Sequence, residues 1–190
     1  MSFFNKKKKQ KQKIYDTPHK NKFNTMSLMP CLDSRRQENV VLTNVKEKKG
    51  VIVGSSAFNS QMPFTIYQKH PKTDIDVVVP KPKNFALKTE QQLDNMVGMN
   101  NYYVSELEHD QGKTYRVHSR AKGNQVIVDA SKPKKVPFTT IGGVRYETLA
   151  HREQAIKKMI ADPNAQYRRK KDERMLGYIN RYKRSRKYLK

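Results

Sequence analysis

Apolar residues in this chain fall in short runs bounded by turn-forming or charged residues, and those runs predict a mixture of strands and helices. Val51-Ile52-Val53 is an apolar β-branched run ended by Gly54, the signature of a short buried strand. Ser55 or Ser56 then offers an N-cap for a short helix that must stop before Pro63. Ile75 to Val79 is nearly continuous in apolar character, as in a central strand, and Pro80 ends it. Leu93, Met96 and Val97 recur at helical spacing within 89–99. Tyr102-Tyr103-Val104, Thr114 to Val117 and Gln125 to Val128 read as antiparallel strands separated by turns. Val40-Val41-Leu42 fits either a short strand or part of a helix.

Toward the C-terminus the period changes. Ile141-Gly142-Gly143-Val144 reads as a turn. A helix follows over 146–160, with Leu149, Ile156, Met159 and Ile160 on one side. Asp162-Pro163 is a helix-start signal, and a second helix is predicted from Pro163 to about Tyr188, weakened near Gly177. The predicted architecture is therefore α+β (α/β): a small mixed sheet with flanking helices and a C-terminal helical hairpin. Three segments follow: a Lys-rich arm over 1–25, a core over 26–140, and a helical segment with a basic tail over 141–190.

Charge divides the 190 residues along the same lines. Of the formal net charge of +23, the first 22 residues carry +7 and residues 168–190 carry +9, so the core is only mildly basic. Such ends favour a polyanionic partner, nucleic acid above all, or docking into a protein assembly. Lys6, Lys7, Lys8 and Lys9 resemble a nucleic-acid or nuclear-localisation patch, equally compatible with a solvated tail. Arg181, Tyr182, Arg184 and Arg186 interleave cations with an aromatic, which suits stacking on bases and pairing with phosphates, or a frayed basic helix end. No run reaches the roughly 20 apolar residues of a membrane span, and no apolar stretch follows the N-terminal lysines as in a secretory signal. A single cysteine, Cys31, excludes an internal disulfide and a multi-cysteine zinc cluster. An intracellular location, cytoplasmic or nuclear, is expected, and a virion is compatible.

The candidate chemistry sits in Thr73-Asp74-Ile75-Asp76 and in the Gly54-Ser55-Ser56 turn. On a strand, Asp-x-Asp puts both carboxylates on one face, with Ile75 and Val77 on the other. Two adjacent carboxylates repel unless a cation sits between them, and Mg²⁺ takes carboxylates together with substrate phosphates. Exposed backbone N–H groups after Gly54 suit a phosphate.

Gly-Ser followed by Asp-x-Asp on the next strand resembles the DNA polymerase beta-like nucleotidyltransferase superfamily. That resemblance implies a third carboxylate from a later strand, and Asp129 in Val126-Ile127-Val128-Asp129 is the candidate. The layout is most similar to AbiEii-type and large-DNA-virus nucleotidyltransferase-like proteins over roughly 51–182. The shared features are the long gap from Ser56 to Thr73, Lys72 before the pair, and Lys171-Asp172 in the helical segment. A lysine of the preceding helix matches Lys157 or Lys158. The pattern is incomplete: where a second acid follows Lys-Asp, this chain has Met175.

The resemblance implies transfer of a nucleoside monophosphate from an NTP to a nucleic-acid or protein acceptor, with two Mg²⁺ or Mn²⁺ ions. Asp74 and Asp76 would bridge the ions, and Asp129 would complete the site. Gly54, Ser55 and Ser56 would bind phosphates, with Lys72, Lys157, Lys158 or Lys171 neutralising charge. The alternative is a catalytically inactive relative that binds nucleic acid or joins a virion through its basic arms. By itself, Lys171-Asp172 reads more simply as an exposed pair on a charged helix face.

Overall fold

A computed structural model describes residues 12–15, 32–66, 74–109, 112–132 and 135–187. Lys6 to Lys9, Cys31 and Lys72 lie outside the described residues. Among these, eight strands form one sheet: β1 (Gln12–Tyr15), β2 (Val51–Val53), β3 (Ile75–Val78), β4 (Tyr102–His109), β5 (Gly112–Ser119), β6 (Gln125–Ser131), β7 (Phe138–Ile141) and β8 (Val144–Glu147). Their order is β1-β4-β5-β6-β3-β2-β8-β7. The sheet is mixed: β3 runs parallel to β6, β2 runs parallel to β8, and the remaining neighbours are antiparallel.

Among the described residues five α-helices accompany it: α1 (Ser34–Glu47), α2 (Gly54–Gln61), α3 (Pro82–Val97), α4 (Leu149–Ala161) and α5 (Arg169–Lys187). Residues 40–42 belong to α1, not to a strand. Asp33 caps that helix by accepting from the Arg36 N–H at 2.8 Å, a contact worth about 1 kcal/mol. Helix α3 begins seven residues earlier than the periodicity of its apolar positions indicates. Pro82 sits at its first turn, where the missing N–H costs nothing, and Gly98 closes it in the left-handed region (φ 71°). The Gly142-Gly143 turn is confirmed, but it joins two strands, so Tyr146 and Glu147 are extended and α4 starts only after Thr148. A 3₁₀ turn over Pro163–Arg168 leads into α5, which runs through Gly177 without interruption.

Burial follows the alternation of β3. Ile75, Val77 and Val79 pack with Val41 and Val45 of α1 and Phe85, Ala86 and Leu93 of α3. Those two helices cover one face of the sheet. On the other side a second cluster joins α2 to the C-terminal helices through Phe58, Met62, Ile156, Met175 and Ile179. Met175, where a second acid would complete the family pattern, is 5% exposed and part of this apolar contact. The Lys171-Asp172 pair is split by the same packing. Lys171 is exposed, whereas Asp172 is fully buried and held by Arg168 (Nε to Oδ2, 2.7 Å; Nη2 to Oδ1, 3.2 Å). No described helix is long and apolar enough to cross a membrane.

Candidate active site

The parallel pairing of β3 and β6 places Asp76 directly opposite Asp129, so both side chains leave the same face. Asp74 stands two residues earlier on that face. One carboxylate oxygen from each of the three lies within 4.8 Å of the others, and all three residues are half-buried. The expected convergence of Asp74, Asp76 and Asp129 is what the sheet register produces. Strand β6 also continues to Ser131, so Asp129 sits inside the strand and does not cap a turn.

Crowding three carboxylates has an electrostatic consequence. Burial, reinforced by Asp74 and Asp129, pushes the Asp76 carboxyl up to about 7, while Arg152 and Lys171 pull it back. Burial also raises Asp129, opposed chiefly by Arg116. Arg116, on β5 directly opposite Asp129, donates through Nε to both carboxylate oxygens at 2.8 and 3.1 Å.

The turn after β2 is built around the acids. Gly54 is in the left-handed region (φ 68°), and a Cβ added there would sit 2.4 Å from Asp76 Oδ2. Glycine is needed at this position both for its backbone conformation and for the approach. The Gly54 N–H donates to Glu147 Oε2 at 3.0 Å, and the other oxygen of Glu147 lies 2.7 Å from His151 Nδ1. Gln61, at the far end of α2, donates to the Glu147 carbonyl at 2.7 Å. Glu147 thus fixes α2 at both ends. The Ser56 hydroxyl donates inward to the Asp74 carbonyl at 3.0 Å, tying the helix to the approach of β3. Ser55 is half-buried in the first turn, and no side chain caps this helix, whose positive dipole end lies beside the carboxylates.

The predicted cations divide. Lys171 reaches Asp76 electrostatically, but Lys157 is paired with Glu153 at 2.9 Å and Lys158 is exposed on α4. Arg181, Tyr182, Arg184 and Arg186 lie ten to fifteen residues beyond Lys171, about 15–22 Å along α5. Arg181 sits over the Tyr178 ring and Arg186 over the Tyr182 ring, each at 5.8 Å. Arg116, Glu147 and Arg152 belong to the site environment and carry no local motif. Arg116 is the one a register argument reaches: it shares a strand face with Asp129 once β5 and β6 are paired.

The donor set is three carboxylates and no sulfur, which fits a hard divalent cation such as Mg²⁺ or Mn²⁺.

No family model matches the chain, and no curated protein matches it. Among solved structures, the chain is similar to the Megavirus polyadenylate synthase, at 18% identity and a TM-score of 0.61, over 77% of this chain. It spans only 30% of that protein's length. Two Helicobacter pylori structures, JHP933 and a candidate nucleotidyltransferase, align at 14% identity with TM-scores of 0.38 and 0.40. They cover 70% and 72% of this chain and 57% and 60% of theirs, and superpose too loosely to add to the comparison. With its mixed sheet, its Gly-Ser turn and its carboxylates on adjoining strands, the chain has a nucleotidyltransferase-like fold.

Proposed function

We propose that the protein is a metal-dependent nucleotidyltransferase that moves a nucleoside monophosphate from an NTP to a nucleic-acid or protein acceptor. The observation that carries this reading is the triad: three carboxylates with oxygens within 4.8 Å of one another, beside a glycine turn where an added Cβ would lie 2.4 Å from Asp76 Oδ2. Asp74, Asp76 and Asp129 would hold Mg²⁺ or Mn²⁺. When bound, such ions stabilise charge on the entering and leaving oxygens.

The protein's own groups supply the remainder. In the transfer, a bond forms between the acceptor oxygen and the α-phosphorus as the acceptor hydroxyl gives up its proton to water, the α-phosphorus to bridging-oxygen bond breaks, and pyrophosphate leaves with the electron pair and the negative charge. The uncapped first turn of α2 offers backbone N–H groups and the Ser55 hydroxyl to the phosphates. Arg152 and Lys171, the cations that act on Asp76, would neutralise charge on the departing pyrophosphate. Arg152 supports this role further, because its Nε is buried without a hydrogen-bond partner. Arg116 orients Asp129 and opposes the rise that burial gives its carboxyl.

A second reading, an inactive fold with a binding role, is favoured by one observation: Met175 is packed in the apolar cluster where the family pattern has an acid. Incubation with each α-³²P-labelled NTP, total RNA and cell protein, with Mg²⁺ or Mn²⁺, separates the two. Label that is lost in an Asp74→Asn/Asp76→Asn variant supports the enzyme. No label above that folded variant supports the inactive fold.

A further inference from the structure

The outer face of α5 has a charge pattern that packing does not explain. Its inner face is set by Asp172, Met175 and Ile179, all 5% exposed or less. At 100° per residue, Lys170, Arg174, Gly177, Arg181 and Arg184 fall in an arc of about 80° on the opposite side. They make a straight stripe about 21 Å long at 1.5 Å per residue. All five are exposed.

The two acids of this helix do not neutralise the stripe. Asp172 is held by Arg168 and Glu173 by Arg169, and among the described residues no carboxylate pairs with the four stripe cations. Aligned cations repel one another, so the arrangement is stable only as a solvated surface or beneath a polyanion. Gly177, in the middle, leaves a gap: an added Cβ would meet nothing within 4 Å. Three residues before Lys170, on the 3₁₀ turn, Tyr167 is 87% exposed and presents a ring that can stack on an unpaired base. The next residue after Lys170 is Lys171, whose charge reaches Asp76, so the stripe leads away from the carboxylate triad.

We propose that this stripe is a track for the backbone of a single-stranded nucleic acid whose terminal hydroxyl enters the triad. The binding surface stands on α5 and on Tyr167 of the 3₁₀ turn before it. That the bound strand is the acceptor rests on the transfer reading above. A single strand fits better than a duplex, because an exposed aromatic stacks only on unpaired bases and a strand end must be free to reach the acids.

The test uses the full chain and a fluorescent oligouridylate, with affinity measured by anisotropy across a salt series. The variant is Lys170→Gln/Arg174→Gln/Arg181→Gln/Arg184→Gln. Four exposed cations of α1 and its C-cap, replaced as Arg35→Gln/Arg36→Gln/Lys46→Gln/Lys48→Gln, form an equal-charge control. Thermal melting checks that both sets fold. Loss of four phosphate contacts on a single strand lowers the slope of log affinity against log salt by about 2.8, at about 0.7 per contact. The control set is expected to change it by less than half of that. An unchanged slope, or an equal loss in the control, overturns the track.

Binding is repeated with Asp74→Asn/Asp76→Asn, and label transfer is run on oligouridylate and on a dinucleotide. A stripe-dependent slope with no transfer to either leaves the track standing and removes the acceptor assignment. Transfer to oligouridylate at the native rate by the stripe variant overturns the track and leaves the transfer reading intact. The expected result is that the stripe variant loses transfer to the oligonucleotide and keeps transfer to the dinucleotide.

Discussion

Replacing Gly54 with alanine tests the coupling between the turn and the acids, and Gly98 supplies its control. Both glycines are left-handed, at φ 68° and 71°. An L-residue in that region costs about 1–2 kcal/mol. At Gly98 an added Cβ meets nothing within 4 Å, so Gly98→Ala carries that strain alone. For a chain of this size, about 1 kcal/mol moves Tm by about 2–4 °C, so Gly98→Ala lowers Tm by about 2–8 °C. Gly54→Ala carries the same strain and a Cβ placed 2.4 Å from Asp76 Oδ2.

Ordinary contact begins near 3.4 Å, so the turn or Asp76 must move by about 1 Å. Asp76 is a short side chain on a central strand, with Cγ and Cβ also within 3.5 Å of the added atom, and turning it off its rotamer costs about 0.5–1.5 kcal/mol more. The total is about 1.5–3.5 kcal/mol. The effect on the site is larger than on the fold, because metal ligands tolerate about 0.2 Å of displacement. Mn²⁺ titration by calorimetry, beside thermal melts, is expected to show at least a tenfold loss of affinity for Gly54→Ala and native affinity for Gly98→Ala. Native Mn²⁺ affinity in a folded Gly54→Ala variant would refute the coupling.

Three further predictions follow from the same contacts. Asp76 has a folded pKa of about 7 against about 3.9 unfolded, so its contribution to stability is complete below pH 4 and is lost as pH rises through 7. Without metal, urea midpoints should therefore fall over that window; Asp76→Asn should flatten the fall, and Mg²⁺ should stabilise more at pH 8 than at pH 6. Arg116→Gln removes the cation that opposes the rise of Asp129, so Mn²⁺ binding at pH 7 should weaken and recover as pH rises. Tighter binding at pH 7 would instead make Arg116 a competitor of the ion. Arg168→Ala leaves Asp172 buried and unpaired, at about 3 kcal/mol. Asp172→Ala leaves an arginine whose side chain is 27% exposed and can reach water, so it should unfold at the higher urea concentration of the two.

What was legible in the sequence was what depends on local periodicity. Asp-x-Asp on an apolar strand needs only the period of two to place two carboxylates on one face. Asp129 was reachable because its strand is equally apolar and the family resemblance supplied the neighbour. Arg116 and Glu147 were not, because each acts across a sheet register: Arg116 stands opposite Asp129, and Glu147 reaches Gly54 from a strand 93 residues later. Residues 138–141 and 144–147 were missed as strands because four residues on each side of Gly-Gly carry too little alternation to be distinguished from a turn. Acids are rarely buried, so the sequence points to an exposed Asp172, yet it shares the inner face of Met175 and Ile179, at i+3 and i+7. Only the packed position of Arg168 makes that placement favourable.

The central claim is that the carboxylate triad transfers a nucleotidyl group. Parallel incubations with α-³²P- and γ-³²P-labelled NTP, Mg²⁺ and an RNA acceptor test it most directly, with Asp74→Asn/Asp76→Asn beside the native protein. The account predicts α-label on the acceptor, γ-label only in released pyrophosphate, and neither with the variant. Label on the acceptor from the γ position, or α-label that survives loss of both aspartates, would contradict it.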